Sequence, residues 1–360
     1  MRTIQEILLQ AHRMLPAEMW DHVSGGAESE TTLRRNRQAL DRVAFRPRVL
    51  RDVSRIETST TFLGRELRIP VFWAPIGGAH VVREDAARVA LDSASEYGVV
   101  SCLSSINQLS LEAAARTQAD DLIFQLYLQG GGKWVDDYLD RVHAARPRAF
   151  CLTVDTALYS RRERDMVNQF APSGREQGER EGFEAQAMMT WGLVEKVRRR
   201  LDVPVILKGI QTAEDARLAV EHGVDVVYVS NHGGRQLDHG PGCMDVLPEI
   251  VSAVDGRAEV VVDGGFVRGT DILKAVASGA RAVGLGKLQV WALAAAGRQG
   301  LVRALEILEE ELRVSMGLLG VTRLDQLDGS YLQAASPAGP PDWRSPFPSL
   351  MAALGERPEE

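Results

Sequence analysis

Val226-Val227-Tyr228-Val229-Ser230-Asn231-His232-Gly233-Gly234-Arg235-Gln236-Leu237-Asp238 joins a short unbroken apolar run to a segment made almost wholly of polar residues and glycine. An unbroken run, unlike an alternating one, is how a strand covered on both faces reads in a parallel sheet. The polar continuation then falls at the strand's C-terminal end, the side on which parallel α/β architectures build their sites.

Seven more runs of this kind flank it. Upstream lie Val71-Phe72-Trp73-Ala74, Val99-Val100-Ser101-Cys102-Leu103, Leu122-Ile123-Phe124-Gln125-Leu126, Ala149-Phe150-Cys151-Leu152-Thr153-Val154 and Val203-Pro204-Val205-Ile206-Leu207. Downstream lie Val260-Val261-Val262 and Ala282-Val283-Gly284-Leu285. Amphipathic stretches separate them. In one, Thr212 is an N-cap with Asp215 after it, Ala216, Ala219 and Val220 form the inward stripe, and Gly223 ends the helix. Asp271 to Ala277, ahead of Gly279, repeats the layout. Eight strand-then-helix units predict an α/β fold, a single (β/α)8 TIM barrel over residues 1–335, with an open doubly wound sheet as the competing arrangement.

Residues 1–65 hold no such unit and read as an N-terminal helical cap, its first helix broken at Leu15-Pro16. The fourth and fifth runs are the widest apart. Between them, 169–189 is rich in Gly, Glu, Arg and Gln and reads as a short lid, a surface loop without function being the alternative. The Pro-rich stretch Ser336-Pro337-Ala338-Gly339-Pro340-Pro341 opens a loosely ordered C-terminal tail, 336–360.

The chain has 360 residues, 45% hydrophobic and 25% charged, with net charge −7, which suits a globular enzyme and gives no attraction to nucleic acid or to an anionic membrane. No apolar stretch is long enough to span a bilayer, and the N-terminus lacks a signal-peptide layout, so a cytoplasmic enzyme is expected. Cys102, Cys151 and Cys243 are odd in number and widely spaced, which gives neither a disulfide framework nor a metal-ligand pattern. The first two lie inside strand runs and are expected to be small buried apolar residues.

Polar or glycine features follow every run. Pro75-Ile76-Gly77-Gly78 follows the first and Ser104-Ser105 the second. The third carries Gln125 and Tyr127, the fourth Thr153 and Asp155 with Arg161-Arg162 beyond, the fifth Lys208-Gly209. After the seventh and eighth come Asp263-Gly264-Gly265 and Gly286-Lys287. Glycine turns at the last two strand ends offer backbone N–H groups to a phosphate monoester. Lys208 is either a Schiff-base nucleophile or a positive charge against the pyrimidine end of a flavin, where it favours the anionic reduced form. His232 is a candidate base with Asp155 as its orienter, and Arg162 and Arg235 can grip a carboxylate.

Taken together these motifs resemble the FMN-dependent 2-hydroxy acid oxidase and dehydrogenase family, from Ser24-Gly25-Gly26-Ala27 and Asn36-Arg37 to the C-terminal helices. The resemblance implies FMN as cofactor and His232 as base with Asp155 its partner. It puts Tyr127, Arg162 and Arg235 on the substrate, a 2-hydroxy acid or related carboxylate oxidised to its 2-oxo product. Pro75, Ile76, Gly77, Ser104, Gln125, Tyr127, Thr153, Lys208 and Ser230 would hold the flavin ring and ribityl chain. Asp263, Gly264, Gly265, Phe266, Val267, Arg268, Gly286 and Lys287 would hold the phosphate end. Oxygen or another acceptor would take the electrons, and the assembly would be a homotetramer or homo-octamer.

Several positions depart from the family pattern. His22 stands where a substrate-binding tyrosine is usual, Val267 and Lys287 where two phosphate-binding arginines are usual, and Ile76 and Ile106 make the pocket wall more aliphatic. With a shorter lid, these changes imply a substrate bulkier than glycolate and a phosphate grip that depends on Lys287 or on Arg268 swinging in. Competing readings are an amine or carbinol oxidase in a specialised biosynthetic pathway, a non-redox FMN isomerase, a flavin-free aldolase using Lys208, and an FMN-free binding protein.

Overall fold

The structure is a computed structural model, and it describes residues 1–170, 184–339 and 342–347. All eight runs form strands: β1 (Val71–Trp73), β2 (Val100–Ser104), β3 (Leu122–Leu126), β4 (Ala149–Thr153), β5 (Val205–Ile210), β6 (Val226–Val229), β7 (Glu259–Val262) and β8 (Ala282–Leu285). Each pairs in parallel with the next, and β8 pairs with β1 through Val283↔Val71 and Leu285↔Trp73, closing the barrel. The open sheet is thereby excluded. Two apolar layers result. Inward-facing Phe72, Val100, Cys102, Ile123, Cys151, Ile206, Tyr228 and Val261 fill the barrel, while the alternate residues meet the surrounding helices. All three cysteines are buried and free.

The helix read from Thr212 forms as expected. Thr212 Oγ1 accepts from Asp215 N, Ala216 and Ala219 are buried, and the helix runs Ala213–Glu221. In the cap, α1 (Ile4–Met14) and α2 (Ala17–Ser24) are separated at Leu15-Pro16, and α3 (Thr31–Asp41) follows. A short hairpin, Thr60–Phe62 with Arg65–Leu67, closes the barrel end at which the strands begin. Its turn is fixed by Glu259 Oε2 accepting from Leu63 N, and by Arg148 donating to Leu63 O. Phe62 stacks on Phe72 inside the barrel. With that end plugged, the opposite rim is the one left for chemistry.

Residues 171–183 of the expected lid lie outside the described residues, and so do 340–341 and 348–360 of the expected tail. On the near side of the lid, Gln186 is buried, accepting from Leu128 N (2.8 Å) and donating to Thr153 O (3.0 Å) and Thr156 Oγ1. In the tail, Trp343 stacks on Trp291 (5.5 Å) and Phe347 is fully buried, so this piece is packed rather than loose.

Candidate active site

A belt of buried polar side chains crosses the rim from β2 to β6. Ser104 lies in register with Gln125 and Thr153 with Lys208. Gln125 Nε2 donates to Thr153 Oγ1 (2.9 Å), and Lys208 Nζ donates to Ser230 Oγ (2.9 Å). Ser104, Gln125, Thr153, Lys208 and Ser230 are all buried, a costly arrangement unless polar partners meet it. Gln125 Oε1 and Asp263 Oδ1 are buried with no hydrogen-bond partner among the described residues. Gly77, after β1, faces this belt beside Ser104 and Tyr127. A flat, hydrogen-bonding heterocycle fits such a rim.

Next to the belt stands His232, the expected base. His232 Nδ1 lies 3.1 Å from Asp155 Oδ1, and Nε2 lies 3.1 Å from Tyr127 Oη. Burial alone would raise the Asp155 carboxyl. The His232 ring, donating its Nδ1 proton, and the Lys208 charge overcome that and hold it below the ordinary carboxylate range. A carboxylate facing Nδ1 fixes the tautomer with the proton on Nδ1, leaving the Nε2 lone pair toward Tyr127 and the pocket. Burial, helped by Lys208 and Arg162, keeps His232 below the usual imidazole value against the pull of Asp155. The resting imidazole is therefore neutral and able to take a proton. Burial would lower Lys208, but Asp263 and Asp155 reverse this and the ammonium stays charged.

The backbone at the base is held in a sparsely populated shape, with His232 at φ 58°. Gly234 explains why glycine follows. A Cβ there would lie 2.5 Å from Leu33 N in α3. The cap grips this loop further. Asn36 and Asn231 exchange two buried hydrogen bonds (2.9 and 2.8 Å), and Asp238 accepts from Thr32 N and from Ser29 Oγ. Arg37 makes a two-pronged bond to Asp271 (2.9 Å each) and also pairs with Asp41. Cap, β6 loop and the helix after β7 thus form one support.

The other expected site residues divide. Arg162 stacks on the Tyr159 ring (4.4 Å), and Arg235 donates to the carbonyls of His22 and Gly25. His22 Nδ1 bonds Asp165 Oδ2 (2.9 Å), and its ring lies against Phe170. Burial and the Arg235 and Arg162 charges keep His22 below the usual imidazole value despite Asp165. At the far end, Lys287 Nζ donates to Gly25 O (2.9 Å) and approaches Gly233 O, with no carboxylate in ion-pair range among the described residues. Burial, with Arg235 beside it, pushes Lys287 well below the ordinary lysine value. An incoming anion would supply the charge partner that Lys287 lacks among the described residues and favour its ammonium form. Val267 is buried, its N–H donating to Asp271. Arg268 is engaged elsewhere in this structure. Its guanidinium is held by Glu311 (2.7 Å) and donates to Pro346 O.

A positively charged, glycine-turned rim with a His–Asp pair defines a flavin-type barrel site, and comparison with known proteins agrees. The FMN-dependent dehydrogenase family model matches residues 11–334, and the chain belongs to that family. It is 38% identical over 339 residues to an L-lactate oxidase from Nostoc sp., covering 87% of this chain and 93% of that protein. Spinacia oleracea glycolate oxidase is 35% identical over 364 residues, covering 96% and 97%. Among solved structures, a mandelate oxidase with benzoyl-formic acid aligns with TM-score 0.84 at 38% identity, over 93% and 99% of the two chains. A soluble mutant of the membrane-associated (S)-mandelate dehydrogenase from Pseudomonas putida aligns with TM-score 0.87 at 29% identity, over 93% and 100%.

The residues present fit FMN. The belt with its orphaned Gln125 oxygen suits the ring system, and Lys287 suits the phosphate, with a thinner grip at that end than two arginines would give. Asp165, Asn36 and Gln186 escaped sequence reasoning as site supports. Asn36 alone carried a signal, through its place in the Asn36-Arg37 motif.

Proposed function

We propose that this protein oxidises a 2-hydroxy acid, bulkier than glycolate, to the 2-oxo acid. The single observation that carries the proposal is the partly buried Asp155–His232–Tyr127 chain standing beside buried Lys208 on one rim. Bound FMN supplies the two-electron acceptor. Lys208, Gln125, Thr153, Ser104 and Ser230 hold its ring, and Pro75, Ile76 and Gly77 back it with main chain. Gly264, Gly265, Gly286 and Lys287 receive the phosphate, with Asp263 and Phe266 shaping the turn.

Arg162 and Arg235 bind the substrate carboxylate, with His22 at the same end. Neutral Nε2 of His232 accepts the substrate's proton, and Asp155 stabilises the imidazolium that forms. Tyr127 stays protonated, because burial raises its phenol, and donates a hydrogen bond to the substrate oxygen or to Nε2. Aliphatic Ile76 and the half-exposed Ile106 favour an apolar substituent on the substrate's far side.

The test is anaerobic mixing with lactate, glycolate and mandelate while the flavin absorption near ~450 nm is followed. Bleaching is expected fastest with the largest acid and lost in His232→Ala. Equal bleaching by wild type and His232→Ala would sink the base assignment. We also infer a cytoplasmic homo-oligomer that hands its electrons to oxygen or another acceptor. Those readings rest on the family resemblance, and among the described residues no helix is long and apolar enough to cross a membrane.

A further inference from the structure

Inside the barrel, directly below the rim, sits a tyrosine that the chemistry above does not use. Tyr228 lies on β6 in register with Lys208 on β5 and with Val261 on β7, and it is 1% exposed. Lys208 Nζ stands 5.2 Å from the centre of its ring, and the ring meets Phe72 edge-on at 5.4 Å. Its hydroxyl has no hydrogen-bond partner among the described residues, and neither has Asp263 Oδ1. The Asp263 carboxylate nevertheless bears directly on the phenol. Burial pushes the phenol well up, and the Asp263 carboxylate beside it pushes it further.

Space for the phenol exists because of one residue. A Cβ on Gly284 would lie 2.1 Å from Tyr228 Oη and 3.1 Å from Phe72. Barrel interiors are close-packed, so a large side chain on one strand needs a small one facing it. A buried hydroxyl is expensive to keep there unless a polar group meets it.

The charges nearby point to that group. Asp263 Oδ2 stands 3.7 Å from Lys208 Nζ, so this carboxylate competes with the ring-binding end of the site for the lysine's positive charge. A hydroxyl hydrogen turned toward Asp263 takes up part of its negative charge and leaves more of Lys208's field directed at the rim. We propose that Tyr228 is a positioning residue for Lys208: admitted by Gly284, its hydroxyl engages Asp263 from below and so sets how strongly Lys208 stabilises the negative charge of the reduced flavin.

The proposal rests on FMN binding at this rim as read above, and the test separates the two. The midpoint potential of the bound flavin is measured by reductive titration against a reference dye, in wild type, Tyr228→Phe, Gly284→Ala and the double variant. Tyr228→Phe removes one oxygen and keeps the ring under Lys208. It is expected to disfavour the reduced flavin about tenfold, a fall of about 30 mV for two electrons. Gly284→Ala displaces the phenol and is expected to lower the potential as well, and the double variant should fall no further than the larger single effect. A potential in Tyr228→Phe that matches wild type or rises overturns the proposal. So does a Tyr228→Phe protein with a lower melting temperature and an unmoved potential, the signature of a packing role alone. A wild-type protein that stays colourless with added FMN overturns the flavin reading itself.

Discussion

The two ends of the site are built on different principles. At the redox end, between β3 and β6, the work falls to side chains locked by other side chains: Asp155 on His232, His232 on Tyr127, Lys208 on Ser230 and Asp263. At the end proposed for the phosphate, after β7 and β8, glycine turns and one lysine remain, Val267 is buried and Arg268 is tied to Glu311. Proton and electron transfer need atoms placed to a fraction of an ångström, so the first end tolerates little change. Anchoring a phosphate needs mainly N–H groups and net positive charge, so the second can change its cation and still serve.

The sharpest way to break this contrast is His232→Ala. Loss of a positioned base is expected to slow flavin bleaching by substrate about 10²–10⁴-fold with FMN still bound, read by stopped-flow absorbance. If the colour is lost as well, the two ends are not separable as described. Next in size is the shared support. Arg37→Ala leaves Asp271 buried without its guanidinium, expected to cost about 3–5 kcal/mol, read as the shift of a urea unfolding midpoint. Because Asp271 also accepts from Val267 N and Arg268 N, FMN affinity should fall in the same variant.

At the phosphate end, Lys287→Ala is expected to weaken FMN binding about tenfold (about 1.4 kcal/mol), read by flavin fluorescence quenching. The salt dependence of binding should fall with it, while Lys287→Arg, which restores a fork, should tighten binding. Wild-type affinity in the alanine variant would move the anchor wholly onto the backbone. The smallest effect is a pH limb. His232 is held below the ordinary imidazole value of 6.5, so the base stays neutral as pH falls through that value. The kcat/KM profile should therefore hold level through pH 6.5 and drop only at lower pH, and a limb above 6.5 would contradict a buried neutral base.

Much of the barrel was legible because strands buried on both faces leave unbroken apolar runs. β3, β6 and β8 start and stop where those runs do. β5 does not. Pro204 has no N–H to offer a ladder, so pairing begins at Val205, and it carries on through Lys208 to Ile210 across a register shift. The hairpin at 60–67 was missed because its turn puts Leu63 at φ 50°, a position where asparagine or aspartate would have given the signal.

In the site, strand-end position betrayed Asp155, His232 and Lys208. No local pattern could show that Asn36 would bond Asn231, or His22 Asp165, since each pair meets only once distant segments have packed. From sequence Arg268 looks available to the phosphate, because its partner Glu311 lies in another helix. Sequence adjacency to a motif says which loop a side chain starts from, and its nearest opposite charge says where it ends.

The tryptophan packing has a practical side. Trp20, Trp291 and Trp343 form a cluster with ring centres 5.5–6.4 Å apart, Trp291 stacked on each of the other two and Trp20 tilted against Trp343, drawn from the cap, the helix that begins at Lys287 and the tail. Trp291 sits one helical turn after Lys287, and its indole N–H donates to Ser24, next to the carbonyl that Lys287 holds. The molecule thus carries an intrinsic optical probe at its anchoring end, and near-ultraviolet emission and circular dichroism should register the anion's arrival without any label.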